Sequence, residues 1–126
     1  MTTIKAGGRT YTLYFTLAAM DEIEEALGEP ATFDKNQIEE IMSDRRKFMQ
    51  VFITFANQGE IAQGHEGDLT VKSISRTIRP GDLIKLQKAV IDEIVIGARM
   101  ETEADDDDAE VDVVLEEIKK KEIKAE

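Results

Sequence analysis

A short N-terminal stretch rich in β-branched and aromatic residues precedes a chain in which apolar residues recur mostly at helical spacing. Residues 3–5 and 9–15 are rich in β-branched and aromatic side chains, and they flank Gly7 and Gly8. Paired glycines supply the positive φ angles that a tight turn between two strands requires. The start of the chain therefore predicts a two-stranded β-hairpin.

The segment after this hairpin predicts a helix that begins after Thr16 and ends before Gly28 and Pro30. Thr16 is a suitable N-cap, and glycine followed by proline is a typical helix stop. Acidic side chains occupy one predicted face of the helix. The other face carries Leu17, Met20, Ile23 and Leu27.

Two further helices are predicted between residues 34 and 59. Asp34 is a suitable cap for a short helix, and a longer helix is predicted from about Asp44 to Asn57, ending at Gly59. The short helix has apolar residues at Ile38, Ile41 and Met42. The longer one has them all round its axis, at Phe48, Met49, Val51, Phe52, Ile53, Phe55 and Ala56. Such a helix is expected to be the most buried element, although residues 51–55 alone are also compatible with a strand.

A loop and two more helices are predicted before residue 100. Residues 59–68 contain three glycines and the only histidine, which indicates an exposed loop. Thr70 is a suitable cap for a short helix with Val71, Ile74 and Ile78 in register, and Pro80 suits the first turn of a last core helix. The stripe of that last helix is Leu83, Leu86, Val90, Ile94 and Ala98, widened by Ile84, Ile91 and Val95.

These elements together predict an α+β fold that is mostly helical. An N-terminal two-stranded β-hairpin packs on a bundle of four to five helices, within a domain that spans residues 1–100. An acidic C-terminal tail of residues 101–126 follows. The predicted core consists of Leu17, Met20, Ile23, Phe48, Phe52, Phe55, Leu86, Val90 and Ile94.

Charge is distributed unevenly between these two parts of the chain. Residues 1–100 carry 12 basic and 15 acidic side chains, a net charge of -3, and residues 101–126 carry 4 basic and 12 acidic ones, a net charge of -8. The acidic run that ends at Asp105–Asp108 contains no large apolar side chain, which predicts a disordered linker.

Apolar residues return after this linker at helical spacing and predict a short amphipathic helix that extends to Ile123. A helix of this length is marginal alone in water, so its apolar stripe needs cover. It either folds onto a partner or a second copy of the chain, or it docks on the last core helix or frays. The candidate partner-binding residues are Val111, Val114, Leu115 and Ile118.

Composition excludes several kinds of chemistry. The chain has no cysteine, so disulfides, zinc–thiolate sites and thiol nucleophiles are absent. His65 has no second histidine to join it and is interpreted as a solvated loop residue, and Asp105–Asp108 lack the alternating ligands and the glycine of a calcium loop. Gly7 and Gly8 precede a strand rather than a helix, which does not fit a phosphate-binding loop.

Charged side chains in the predicted helices also have simple interpretations. The pairs Glu24–Glu25 and Glu39–Glu40 are expected on solvated helix faces. The basic cluster Arg45–Lys47 is expected to pair with acidic neighbours, the tail of the chain among them. No catalytic, cofactor or metal site is predicted, and a net charge of -11 disfavours nucleic acids and anionic membranes as partners. The sequence also predicts neither an export signal nor a membrane span.

The order of elements resembles the tail assembly chaperones of long-tailed, siphovirus-like bacteriophages. The likeness rests on the hairpin at residues 4–13, the helix at residues 17–28, the Leu69-Thr70-Val71 entry to the penultimate helix and the acidic tail. It implies a non-enzymatic protein in the bacterial host cytoplasm that binds the tape-measure protein, helps tail-tube protein to polymerise around it and is absent from the mature virion.

Many members of that family also give a longer product by a programmed ribosomal frameshift. Lys119–Lys121 are compatible with an A-rich slippery run of codons, but the solvated face of a terminal helix is the favoured explanation. Two other classes of function remain open from the sequence. One is an acidic inhibitor or nucleic-acid mimic, which the near-balanced charge of residues 1–100 disfavours, and the other is a structural tail or head-completion subunit.

Overall fold

The computed structural model of this chain describes residues 1–98. The predicted acidic linker and the helix that carries Val111, Val114, Leu115 and Ile118 lie outside the described residues. The elements are β1 (Thr2–Ala6), β2 (Arg9–Leu13), α1 (Leu17–Leu27), α2 (Lys35–Ser43), α3 (Arg45–Ala62), α4 (Val71–Ser75), a 3₁₀ turn (Pro80–Asp82) and α5 (Leu83–Ala98). The predicted α+β fold, a hairpin with five helices, is confirmed.

The hairpin closes through the turn that the paired glycines predict. Strands β1 and β2 are antiparallel, and Ala6 pairs with Arg9 across the turn. Gly7 and Gly8 have φ angles of 59° and 77°, as the mirror-image turn of a two-residue hairpin requires. Strand alternation then directs Tyr11 and other residues of β2 into the core.

Helix α3 is the central element of the fold. It packs against β2, α1, α2 and α5, and every residue from Val51 to Ala56 is buried. Aromatic rings fix its contact with the hairpin, because Tyr11 meets Phe52 edge-on with ring centroids 5.4 Å apart. The predicted helix is confirmed, and the alternative of a strand over residues 51–55 is wrong.

The predicted end of this helix is also wrong, because α3 continues through Gly59 to Ala62. Gly59 does not stop the helix but lets the hairpin approach it. A Cβ atom at this position would lie 1.8 Å from the carbonyl oxygen of Thr12 in β2. The chain leaves α3 at Gln63 and turns at Gly64, whose φ angle is 86°.

Leu17 corrects the predicted core. Its side chain is 80% exposed, Met20 is half-buried, and the other seven predicted core residues are buried. Leu17 and Ile23 are six residues apart, which places them about 120° apart around a helix. The buried face of α1 is centred on Ala19 and Ile23, and Leu17 lies to one side of it.

Three apolar positions in the last two helices also differ from expectation. Ile84 is 69% exposed, although it shares a side of α5 with the buried Ile91. It lies two turns nearer the start of the helix, where its side chain has no cover. Ala98 is exposed at the end of α5, and Ile78 follows α4, which ends at Ser75.

The caps that were predicted at Thr16, Asp34 and Thr70 are all confirmed.

A buried carboxylate joins the hairpin to α5. Glu93 is only 1% exposed, and its oxygens accept hydrogen bonds from the Thr2 hydroxyl (2.8 Å) and the Phe15 backbone N–H (3.0 Å). The amino group of Met1 lies 3.9 Å from Oε1 of the same carboxylate. Paired and hydrogen-bonded charges are the form in which a buried carboxylate is tolerated.

The close approach at Gly59 predicts that Gly59→Ala lowers the free energy of unfolding by about 1 to 3 kcal/mol, the usual cost of overpacking. Alanine raises helix stability by only about 0.5 to 1 kcal/mol over glycine, so the steric term dominates. Urea denaturation measures the difference. Gly81→Ala is the control, because no atom lies within 4 Å of its added Cβ. Equal stability of the two variants would contradict the close contact with Thr12.

The bonds to Glu93 predict that Glu93→Met lowers the free energy of unfolding by about 1 to 3 kcal/mol, because the Phe15 N–H loses its acceptor. Methionine keeps the length of the side chain but accepts no comparable hydrogen bond. Glu93→Gln retains one carbonyl oxygen and is expected to lose less stability. Denaturation midpoints measured in parallel test this order, and a Glu93→Met protein as stable as Glu93→Gln would refute it.

Candidate functional site

The histidine considered for chemistry in the sequence lies in a surface cluster with two charged side chains. His65 is exposed, and its Nδ1 lies 3.1 Å from Oε2 of Glu60, whose other oxygen accepts a 3.0 Å hydrogen bond from Arg9. This surface cluster links the end of α3 to the hairpin. The interpretation of His65 as a solvated loop residue is confirmed.

The four acidic residues of the two predicted pairs differ in their exposure to solvent. Glu25, Glu39 and Glu40 are exposed as expected. Glu24 is an exception, because it is half-buried and accepts a 3.0 Å hydrogen bond from the Ala31 backbone N–H. Residues 1–98 contain no group of three or more His, Asp or Glu side chains that could hold a metal ion. No helix among these residues has the length and apolar character needed to cross a bilayer.

Two open grooves on residues 1–98 are large enough to bind part of a partner. The first, called here the phenylalanine groove, has a volume of about 520 Å³ and is lined by Phe15, Thr16, Leu17, Met20, Ala31, Thr32, Phe33, Ile94, Gly97 and Ala98. The second, called the arginine groove, has a volume of about 620 Å³ and is lined by Arg45, Arg46, Met49, Gln50, Val71, Ser75, Ile78, Arg79, Pro80 and Leu83. Both volumes are in the range of ordinary ligand sites.

Aromatic rings anchor the phenylalanine groove to the core. The ring of Phe15 meets Phe33 edge-on at 5.2 Å and lies 5.1 Å from the ring of Phe55 in α3. Helix α5 passes so close to Phe15 that a Cβ atom on Gly97 would lie 2.5 Å from its ring. The floor of this groove is therefore a rigid aromatic surface.

Phe33 adopts a backbone conformation that is unusual for its residue type. Its φ angle is 49°, in the left-handed region, which costs a non-glycine residue about 1 to 2 kcal/mol. The Gln37 side chain holds the segment in place, since its oxygen accepts from the Phe33 N–H (2.8 Å) and its amide donates to the Pro30 carbonyl (2.8 Å). Strained residues held in this way cluster at binding sites, which marks the groove as a candidate site.

The edge of the phenylalanine groove is apolar, and the helix beside it is acidic. Leu17 lines the groove with 80% of its side chain exposed. Helix α1 also carries Asp21, Glu22, Glu24 and Glu25 and has no basic residue. A partner segment in this groove therefore meets an apolar floor with negative charge alongside.

The arginine groove lies between the start of α3, helix α4 and the start of α5. Asp44 caps α3 and accepts hydrogen bonds from the backbone N–H groups of Arg46 and Lys47. The side-chain amide of Asn57 makes two hydrogen bonds with the backbone of Leu69, of 2.8 and 2.9 Å, which hold the entry to α4 against α3. These contacts leave an apolar floor between the three elements.

The charge at the rim of this groove is positive. Lys47 pairs with Glu40, and this hydrogen bond raises the pKa of Lys47 above its ordinary value. Within residues 1–98, by contrast, no carboxylate lies at ion-pair distance from Arg45, Arg46 or Arg79. The predicted pairing of the basic cluster with acidic neighbours is confirmed for Lys47 alone.

Comparisons of the chain with protein-family models, with curated protein sequences and with solved structures find no match. The candidate partner-binding residues Val111, Val114, Leu115 and Ile118 lie outside the described residues, so the structure brings none of them to a groove. The sequence analysis also missed Phe33, an aromatic residue between two predicted helices. Its position directly before the Asp34 cap was the available signal, because an apolar residue there often packs against the following helix.

Proposed function

We propose that this protein is a non-enzymatic tail assembly chaperone of a long-tailed bacteriophage. In this proposal it binds apolar helical segments of the tape-measure protein in the bacterial host cytoplasm, and assists assembly of the tail-tube protein around them. The observation that carries the proposal is the phenylalanine groove. The resemblance in the order of elements supplies the identity of the partner.

The shape of the groove suits a helix with an apolar face. Helices bind in apolar grooves through side chains at positions i, i+3 or i+4 and i+7, which fill the floor in turn. Leu17 stands beside that floor and remains exposed without a partner. Burial of a leucine side chain contributes about 1.5 to 3 kcal/mol, so Leu17 is a potential hot spot for binding.

Charge favours the same use of the groove. The net charge of -11 keeps a complex with an apolar segment soluble. The acidic residues of α1 favour a partner helix in which lysine or arginine flanks the apolar positions. A nucleic-acid mimic would instead need carboxylates spread over its folded surface, whereas the surface around the arginine groove is basic.

Co-expression with the tape-measure protein of the same phage, a long helical protein in this proposal, tests the function. The unmodified chain is expected to co-purify with that protein and to raise its soluble yield. Leu17→Gln removes apolar area without adding charge, and we expect it to weaken binding about tenfold, the equivalent of about 1.4 kcal/mol. Ile84→Gln is the matched control, because Ile84 is also an exposed apolar helix residue but lies outside both grooves.

Two results would contradict this function. The first is that the unmodified chain neither co-purifies with the long helical protein nor changes its solubility. The second is that Ile84→Gln weakens binding as much as Leu17→Gln. Detection of the chain in purified virions would favour the alternative of a structural tail or head-completion subunit.

A further inference from the structure

The arginine groove has no role in the function proposed above. We propose that it binds the acidic C-terminal segment of the same chain, residues 101–126. The acidic run Asp105–Asp108 lies along the arginine rim, and the apolar residues from Val111 to Ile118 cover the apolar floor.

Charge complementarity is the first argument for this occupant. Arg45, Arg46 and Arg79 have no carboxylate at ion-pair distance from their side chains within residues 1–98. The nearby carboxylate of Asp82 accepts from the backbone N–H of Arg79 and pairs with Lys85. Residues 101–126 carry a net charge of -8. The largest excess of negative charge in the chain and its most basic groove are therefore complementary.

The apolar surfaces match as well. Met49, Val71 and Leu83 give the groove an apolar floor beneath its charged rim. The segment repeats this order, since its acidic run is followed by an apolar stripe at helical spacing. A short isolated helix is marginal in water, and docking on the floor supplies the cover that its stripe needs.

The segment is long enough to reach the groove. Leu83 at the start of α5 and Ala98 at its end are 15 residues apart, or about 22 Å along a helix. Asp105 is seven residues beyond Ala98, so an extended chain carries the start of the acidic run up to about 25 Å from the end of α5, which spans this distance.

The phenylalanine groove is the less suitable site for this segment. Ala98 lines that groove, so it is closer to the tail along the chain. However, the acidic residues of α1 lie beside it and repel the acidic run. The inference rests on the arginine groove, and it stands or fails independently of tape-measure binding.

A spin label on the full chain tests this placement directly. The chain has no cysteine, so Ala109→Cys creates a unique attachment site next to the apolar stripe without changing a charge. Paramagnetic broadening of backbone amide signals is expected at Met49, Val71 and Leu83, and not at Phe33. The broadening should be lost in molar salt, because screening weakens the ion pairs with the arginine rim.

Charge variants then identify the rim. Arg45→Gln with Arg46→Gln should abolish the broadening, whereas the control pair Lys5→Gln with Lys88→Gln removes the same charge from exposed positions outside the groove and should preserve it. Both arginines lie in the first turn of α3, where the helix dipole is positive and a basic side chain adds no stability. Their loss is therefore not expected to unfold the domain.

Three outcomes would overturn the proposal. The first is broadening centred on Phe33, and the second is no broadening at any of the four amides of Met49, Val71, Leu83 and Phe33. The third is broadening that persists unchanged in the arginine variant. Spin-labelled chains that carry no isotope label are mixed with isotope-labelled chains that carry no spin label. This mixture distinguishes binding within one chain from binding between two copies. Equal broadening in that mixture would show that the segment binds a second copy rather than its own domain.

Discussion

The burial of α3 is the constraint on which the rest of this structure depends. A helix with apolar residues all round its axis must be covered on every side, and no single neighbour can do so. The hairpin, α1, α2 and α5 share the task, and the close contact at Gly59 brings the hairpin within reach. Loss of one of these neighbours exposes large apolar side chains of α3, each of whose burial contributes about 1.5 to 3 kcal/mol.

The two grooves lie at the edges of this packed core. At one end, Phe15 and Phe33 extend the aromatic core of α3 to the surface, and the acidic helix α1 forms one edge. At the other end, the first turn of α3 meets α4 and the start of α5 beneath a rim of arginines. The same core thus supports two grooves whose charged surroundings differ in sign. We infer that they bind different occupants, an apolar partner helix and the acidic segment of the chain.

Local signals in the sequence predicted the elements well, and contacts between distant residues limited the rest. The caps Thr16, Asp34 and Thr70 and the paired glycines act within a few residues, so the pattern reveals them. Gly59 has two possible meanings, a helix stop or a close contact, and only the position of Thr12 decides between them. Glu93 interrupts an apolar stripe, but its partners Thr2 and Phe15 lie 91 and 78 residues away. The grooves were not predicted for the same reason, because each combines residues from several elements.

The central claim is that the phenylalanine groove binds an apolar helical segment of a partner protein. Hydrogen–deuterium exchange of the full chain, measured with and without a soluble segment of the proposed tape-measure partner, tests it most directly. We predict added protection of backbone amides around Leu17 and Phe33, and no change at Ile84 on the far part of α5. Protection elsewhere in the domain, or unchanged exchange at saturating segment concentration, would contradict the account.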